Sequence, residues 1–155
     1  MQIEFRRAEA DDAATIAKVL YESFVEYKAL YTEAGFVATT PDAAQVLERM
    51  QEGPAWIALW GGDIIGTVAA VRKGESLYIR GMAVLPSVRG FGIGAGLLRQ
   101  AEEWARNGNF KRIFLSTTPF LSSAIRLYEQ FGFRTMDEGP HDLLGTPLLT
   151  MEKST

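Results

Sequence analysis

A glycine-rich segment in the middle of the chain reads Val84-Leu85-Pro86-Ser87-Val88-Arg89-Gly90-Phe91-Gly92-Ile93-Gly94-Ala95-Gly96. The apolar run that ends at Pro86 predicts a strand, and the helical spacing of apolar residues after Gly92 predicts a helix. Glycine weakens a helix, so four glycines at such a turn need a specific reason. Backbone amides that approach an anion at the positive end of a helix dipole supply one. The segment therefore predicts a phosphate or pyrophosphate site, with a tight turn and close helix packing as the alternative.

Two common phosphate-binding motifs fit poorly. A P-loop is absent, because no Gly-Lys-Ser/Thr tripeptide occurs in the chain. Gly90, Gly92 and Ala95 formally satisfy the dinucleotide fingerprint, but that fold places an acidic residue about 20 positions further on, at the end of the next strand. The next predicted strand runs instead into Ser116 and Thr117. Another phosphate-bearing ligand is therefore favoured over a nicotinamide or flavin dinucleotide.

The remaining periodicity predicts a mixed α/β domain. Helices are expected to start at Asp11 or Asp12, at Thr40-Pro41-Asp42, at Gly92, and at Ser122 or Ser123. Predicted strands cover Gln2–Arg7, Trp56–Trp60, Ile64–Val71, Leu77–Leu85, Arg112–Thr117, Phe133–Glu138 and Leu148–Lys153. The order is βααβββαβαββ, an α+β arrangement with a mixed sheet. Since 155 residues contain no linker-like stretch, we expect a single domain over residues 1–155.

Composition excludes several classes of function. The chain has no cysteine, one histidine (His141) and a net charge of −3. Disulfides and a cysteine-linked intermediate are therefore excluded, and no metal site is expected. The mild acidity argues against nucleic acid as a partner and slightly favours a cationic or amine-bearing small partner. No apolar run approaches the roughly 18 residues of a membrane span, and the N-terminal residues lack a signal-peptide pattern, so we expect no membrane partner and a cytoplasmic location.

Two motifs resemble the GNAT superfamily of N-acetyltransferases. The first is [RQ]-x-x-G-x-[GA] after a strand that ends in proline, and it stands here as Arg89-Gly90-Phe91-Gly92-Ile93-Gly94. The second is a helix of the form A-I-x-L-Y-x-x-x-G-F, which stands here as Ala124 to Phe133. The pair lies in the family's order around a predicted strand. The motif resemblance covers Leu77 to Phe133. Outside that range, only the predicted order of helices and strands resembles the family.

The resemblance implies acetyl-coenzyme A as the cosubstrate. Strands Leu77–Leu85 and Arg112–Thr117 would splay apart to hold the pantetheine arm, which would pair with the main chain of Met82, Ala83 and Val84. Backbone amides of the glycine turn would bind the pyrophosphate. That turn comprises Arg89, Gly90, Phe91, Gly92, Ile93, Gly94 and Ala95. Leu121 stands where many members carry a cofactor-binding asparagine, so no polar contact is expected there.

The resemblance also implies direct acetyl transfer to a primary amine, with Tyr128 as the acid for the leaving thiolate. Its spacing alone is more typical of a core residue, because Tyr128 shares an apolar helix face. Phe24, Tyr27 and Tyr31 would line the acceptor side, or simply pack as core. The general base is open among Glu22, Glu26, Glu75 and His141, each of which is otherwise typical of a solvated residue.

The predicted function is therefore an acetyl-CoA-dependent N-acetyltransferase acting on a small molecule or a peptide, with a homodimer left open. The alternative is a non-catalytic acyl-CoA-binding module that acts as a sensor or interaction partner.

Overall fold

A large sheet forms the centre of the computed structural model, which describes residues 1–155. The strands are β1 (Glu4–Arg7), β2 (Ala55–Trp60), β3 (Asp63–Lys73), β4 (Ser76–Val84), β5 (Arg112–Thr117), β6 (Arg134–Met136), β7 (Asp142–Leu143), β8 (Thr146–Pro147) and β9 (Leu149–Ser154). Seven of them form one sheet in the order β1-β2-β3-β4-β5-β9-β6, and β7 pairs only with β8. Neighbours in the large sheet are antiparallel except β4 and β5, which are parallel. The predicted mixed sheet is confirmed.

Helices cover both faces of the sheet. They are α1 (Ala13–Phe24), α2 (Glu33–Thr39), α3 (Ala43–Glu52), α4 (Ile93–Asn107) and α5 (Ser122–Phe131). Alternate side chains of β2 show the two layers, because successive residues of a strand face opposite sides. Trp56 packs with residues of α4 in one core cluster, whereas Ile57 packs with residues of α1 and α3 in the other. None of the helices is both long and apolar enough to cross a bilayer.

Two elements of the fold were not predicted. The segment after Tyr31 forms the short helix α2, whose first turn is capped by Thr32: its side chain accepts a hydrogen bond from the amide of Gly35. The ribbon of β7 and β8 joins this cap from the other end of the chain, because the Thr32 amide donates to Thr146 Oγ1 at 2.9 Å. Both elements are too short to show a clear periodicity, and each is held by contacts between distant parts of the sequence.

Helix starts were predicted to within a few residues, but two of the caps were wrong. Asp42, and not Thr40, caps α3: its carboxylate accepts from the Gln45 amide at 2.9 Å, and the Gln45 side chain accepts from the Asp42 amide. No serine caps α5, because Ser122 is its first residue and Leu121 takes the capping position. The helix α5 ends at Gly132, which has a left-handed φ of 106°.

Candidate active site

The parallel strands β4 and β5 separate along their length. They pair from Ser76 opposite Arg112 to Ile79 opposite Leu115, and no further. Beyond this point β4 keeps only its pairing with β3, and β5 keeps only its pairing with β9. The split opens a gap in the middle of the sheet, at the place where the resemblance implied it.

A β-bulge marks the point of separation. Two residues of β4, Arg80 and Gly81, stand opposite the single residue Ala69 of β3, since Val68 pairs with Met82 and Ala70 with Ile79. Gly81 has a φ of 78°, a conformation that strongly favours glycine. Bulges bend a strand and increase its twist, which turns the end of β4 away from β5. Gly81 is the only mark of the bulge in the sequence. A single glycine in a predicted strand does not show whether its φ is positive.

The edge of β4 that faces the gap has free backbone amides. The Leu85 amide donates to the Ile65 carbonyl of β3 at 2.9 Å. Because successive amides of a strand point to opposite sides, those of Met82 and Val84 point towards the gap. The side chain of Ala83 is buried in the core cluster that contains α1. Met82 to Val84 thus offer main-chain groups to a ligand in the gap.

The glycine turn leads from this edge to the start of α4. Gly90 and Gly92 have φ values of 88° and 78°, and Gly92 is the residue that caps α4. A β-carbon on either would have no protein atom within 4 Å, so these two glycines border open space. The first amides of α4, beginning at Ile93, have no partner within the helix and carry the positive end of its dipole. The turn is therefore shaped to receive an anion.

Gly94 and Gly96 serve a different purpose. A β-carbon on Gly94 would lie 2.6 Å from Leu127 Cδ2, and one on Gly96 would overlap the ring of Phe5. These two glycines allow α4 to pack closely against α5 and β1, which is the alternative that the sequence left open. The four glycines thus divide into two that shape the turn and two that permit packing.

Arg89, the first residue of the glycine motif, uses its side chain within the protein. Its Nη1 donates to Glu26 Oε1 at 2.6 Å, and its Nη2 donates to the Ser23 carbonyl at 3.0 Å. These bonds connect the glycine turn to the end of α1. Phe91, the next side chain of the turn, is 58% exposed. The Arg89 amide in turn donates to the Pro86 carbonyl at 3.5 Å.

A cleft of about 310 Å³ lies where the split sheet meets α2, α3 and α5. It is lined by Phe24, Tyr31, Ala38, Thr39, Arg49, Tyr78, Ile79, Arg80, Gly81, Met82, Leu115, Ser116, Thr117, Thr118, Leu121, Ala124, Tyr128, Leu143 and Leu148. A second hollow of about 400 Å³ near Trp104 and Phe110, at the C-terminal end of α4, has no hydroxyl group in its lining and none of the predicted residues. The cleft is therefore the candidate active site.

Tyr128 lines this cleft. It is 7% exposed, and its ring packs edge-on against Phe133 with centroids 5.9 Å apart. Burial raises the pKa of the Tyr128 phenol to about 12, with a smaller contribution from Tyr31. Both interpretations of its sequence position hold at once, because the ring belongs to the core while the residue also lines the cleft.

Of the three predicted aromatic residues, the structure brings two into the cleft. Phe24 and Tyr31 line it, and burial raises the pKa of Tyr31. Tyr27 lies outside the lining and packs against Phe120, at 6.3 Å between ring centroids. Phe120 also packs edge-on against Tyr31 at 4.9 Å, so this aromatic group supports the wall of the cleft.

None of the predicted general bases lines the cleft. Glu26 pairs with Arg89, Glu22 with Lys18, and Glu75 with Lys111 at the far end of β4. His141 also lies outside the lining, and no group of three or more His, Cys, Asp or Glu residues is placed to hold a metal ion. These four residues are thus not positioned to act directly on a molecule in the cleft.

Two arginines in the cleft were not predicted as site residues. Arg49 comes from α3 and Arg80 from the bulge of β4, and they are the only charged residues of the lining. The slight preference for a cationic acceptor, drawn from the net charge, does not hold at this surface. In the sequence, Arg80 could have been connected with the site only through its place two residues before Met82, which was predicted to contact the cosubstrate.

Comparison with known proteins agrees with this geometry. The family model "Acetyltransferase (GNAT) family" matches residues 18–133, which is most of the chain. The chain belongs to the GNAT acetyltransferase family. It is 34% identical over 138 residues to the uncharacterized N-acetyltransferase YjgM of Escherichia coli K12, a match that covers 85% of this chain and 82% of that protein. The chain is thus a GNAT acetyltransferase.

More distant relatives include the N-acetylaspartate synthetases. The rat protein is 31% identical over 116 residues, which is 74% of this chain and 39% of that protein. This GNAT chain therefore spans well under half the length of those enzymes. Among solved structures, the PaiA N-acetyltransferase of Thermoplasma acidophilum in complex with coenzyme A has a TM-score of 0.85 at 21% identity, with both chains fully covered. That likeness shows the GNAT fold over the whole chain.

Proposed function

We propose that the chain, as a single domain over residues 1–155, transfers the acetyl group of acetyl-CoA directly to the primary amine of a small molecule in the cytoplasm. The observation that carries the proposal is one continuous arrangement: a split strand edge with free amides, a glycine turn at a helix start, and Tyr128 in the adjoining cleft. The N-acetylaspartate synthetases, whose name gives an N-acetylated amino acid as product, support a small amine as acceptor.

The shape of the glycine turn suits the pyrophosphate of acetyl-CoA. Gly90 and Gly92 leave open space beside the unpartnered first amides of α4, and a phosphate accepts hydrogen bonds from such amides. The arm of the cosubstrate would then extend along β4 and take the place of β5. There it would accept hydrogen bonds from the Met82 and Val84 amides, which have no partner on β5. The contact of a polar arm with a strand edge satisfies backbone groups that would otherwise be left unpaired.

The reaction forms a bond between the amine nitrogen and the acetyl carbon and breaks the bond between that carbon and sulfur. The attacking nitrogen must first lose a proton. Because no carboxylate or imidazole lines the cleft, we propose that water carries this proton to the solvent. Tyr128 would donate a hydrogen bond to the departing sulfur, and the backbone amides near Met82 would stabilise the negative charge on the carbonyl oxygen.

An acetyl-CoA consumption assay tests the proposal. The protein is incubated with acetyl-CoA and a panel of amines, amino acids, polyamines and peptides, and free thiol is detected as coenzyme A is released. The chain itself has no cysteine, so every thiol comes from the cosubstrate. We expect amine-dependent release with formation of the N-acetylated product by mass spectrometry. Binding of coenzyme A without turnover on any amine would instead support the non-catalytic module.

A further inference from the structure

The charge of the cleft points to the class of acceptor. Arg49 and Arg80 are its only charged lining residues, and the rest of the lining is apolar or hydroxyl-bearing. The nearest acidic partner is Glu52, which accepts a hydrogen bond from Arg80 Nη1 at 2.6 Å. Arg49 has no carboxylate within ion-pair distance. Only Arg80 therefore has a paired carboxylate, and the positive charge of Arg49 is left without a counter-charge.

Both arginines keep hydrogen-bond donors that the protein does not use. A guanidinium has five N–H donors. Arg49 Nη2 donates to the Ala38 carbonyl at 3.2 Å, and this is its single hydrogen bond. Arg80 Nη2 reaches the Arg49 carbonyl at 3.4 Å, while its Nε is buried and has no partner at all. A buried donor without a partner is unfavourable, and a bound acceptor group would remove that penalty.

The electrostatics of Arg49 agree with a missing anion. Its pKa lies below the usual value of arginine, chiefly because the side chain is partly buried and also because the charge of Arg80 repels it. An anion between the two side chains would offset both effects. A carboxylate fits this role, because its two coplanar oxygens match the planar fork of a guanidinium.

The position of the pair separates this anion from the cosubstrate. Arg80 lies in the bulge, two residues before Met82, whereas the glycine turn that suits the pyrophosphate follows β4. The same cleft continues from the arginines to Tyr128. A small molecule held by its acidic group at Arg49 and Arg80 can therefore extend its amine towards the split between the strands, and a volume of about 310 Å³ accommodates an amino acid.

We infer that Arg49 and Arg80 bind a carboxylate of the acceptor, so that the preferred acceptor is a small amine that carries a carboxylate, such as a free amino acid. This inference rests on the proposed function. It replaces the cationic acceptor favoured by the net charge with an acceptor that presents a negative group to a positive wall.

Matched acceptors test the inference directly. Steady-state acetylation is measured for L-phenylalanine, L-methionine and L-aspartate, for the α-amides of the same amino acids, for phenethylamine, and for phosphoethanolamine. We expect kcat/KM to fall by at least tenfold when the carboxylate of L-phenylalanine is replaced by an amide or removed. Equal use of phenethylamine and L-phenylalanine would overturn the inference, and so would preferential use of phosphoethanolamine, which would make the bound group a phosphate.

Variants locate the effect at the two arginines. We expect Arg49→Gln and Arg80→Gln each to raise KM for the carboxylate acceptor at least tenfold and to change KM for acetyl-CoA less than twofold. Arg72→Gln is the matched control, because Arg72 is exposed near the end of β3 and lies outside the cleft. Thermal unfolding of each variant checks that it is folded. Unchanged acceptor KM in folded Arg49→Gln and Arg80→Gln would refute the assignment.

Equilibrium binding separates this inference from the proposed function. An N-acetylated amino acid and its amide are titrated by calorimetry into the protein saturated with coenzyme A. Weaker binding of the amide, and loss of that difference in Arg49→Gln, supports the carboxylate site even if no amine in the panel is acetylated, in which case the proposed function alone fails. Equal binding of the acid and the amide contradicts the carboxylate site whether or not turnover is found.

Discussion

Replacing Tyr128 by phenylalanine removes a hydroxyl group that forms no hydrogen bond within the protein and lies at the cleft. The ring and its contact with Phe133 remain, so we expect the free energy of unfolding to change by less than about 1 kcal/mol. Burial raises the pKa of the phenol to about 12. Because this value is above that of the unfolded chain, the associated stability is present below pH 10 and is lost only as the pH rises through 12. The phenol is thus neutral throughout any ordinary assay.

The same pKa sets the size of the catalytic effect. A thiol has a pKa near 8.5, so complete proton transfer from a phenol of pKa about 12 would be uphill by about 5 kcal/mol. A hydrogen bond to the developing thiolate is therefore the expected contribution. Hydrogen bonds to charged groups contribute about 1.5–3 kcal/mol, which corresponds to a decrease in kcat of about 10- to 150-fold.

The assay compares kcat and KM of Tyr128→Phe with those of the unmodified protein by release of free coenzyme A. Coenzyme A binding, measured by calorimetry, should stay within about twofold, because the hydroxyl acts in the transition state. Tyr21→Phe is the control, since Tyr21 is 47% exposed and lies outside the cleft. A kcat within threefold of the unmodified protein, at unchanged stability, would refute the role of Tyr128.

Three further substitutions test the fold. Asp42→Ala removes the cap of α3 and should lower the free energy of unfolding in urea by about 1 kcal/mol. Gly96→Ala places a methyl group against Phe5 and should lower it by about 1–3 kcal/mol. Glu152→Gln removes a carboxylate whose pKa is lowered, chiefly by its hydrogen bond from Arg112. Its stabilising contribution is present above the unfolded pKa of about 4.5 and is lost as the pH falls through the folded value, so the variant should lose stability less steeply in acid.

Each of these tests has an outcome that would contradict it. Full stability of Asp42→Ala would mean that the cap is dispensable. Stability of Gly96→Ala equal to or above that of the unmodified protein would argue against the contact with Phe5. A slope of stability against pH that is identical with and without the Glu152 carboxylate would exclude the ion pair as a source of acid sensitivity.

Local sequence signals determined most of the architecture of this chain. Periodicity located all seven strands of the large sheet and four of the five helices, since an amphipathic pattern reflects which face of each element is buried. The glycine segment identified the turn at the start of α4. The glycine motif and the helix motif Ala124 to Phe133, in this order, identified the family. Tyr128 was found through the helix motif. These features depend on residues close together in the sequence.

Other features of the site were decided by tertiary structure. Arg49 and Arg80 are 31 residues apart and meet only because α3 lies beside the bulge of β4. The bulge at Gly81 depends on the register between β3 and β4, and the need for glycine at position 96 depends on where Phe5 lies across the sheet. The net charge of −3 pointed away from the positive cleft, because an overall charge contains no information about where charges lie. These side chains are positioned by contacts between residues that are distant in the sequence, and such contacts leave no local sequence pattern.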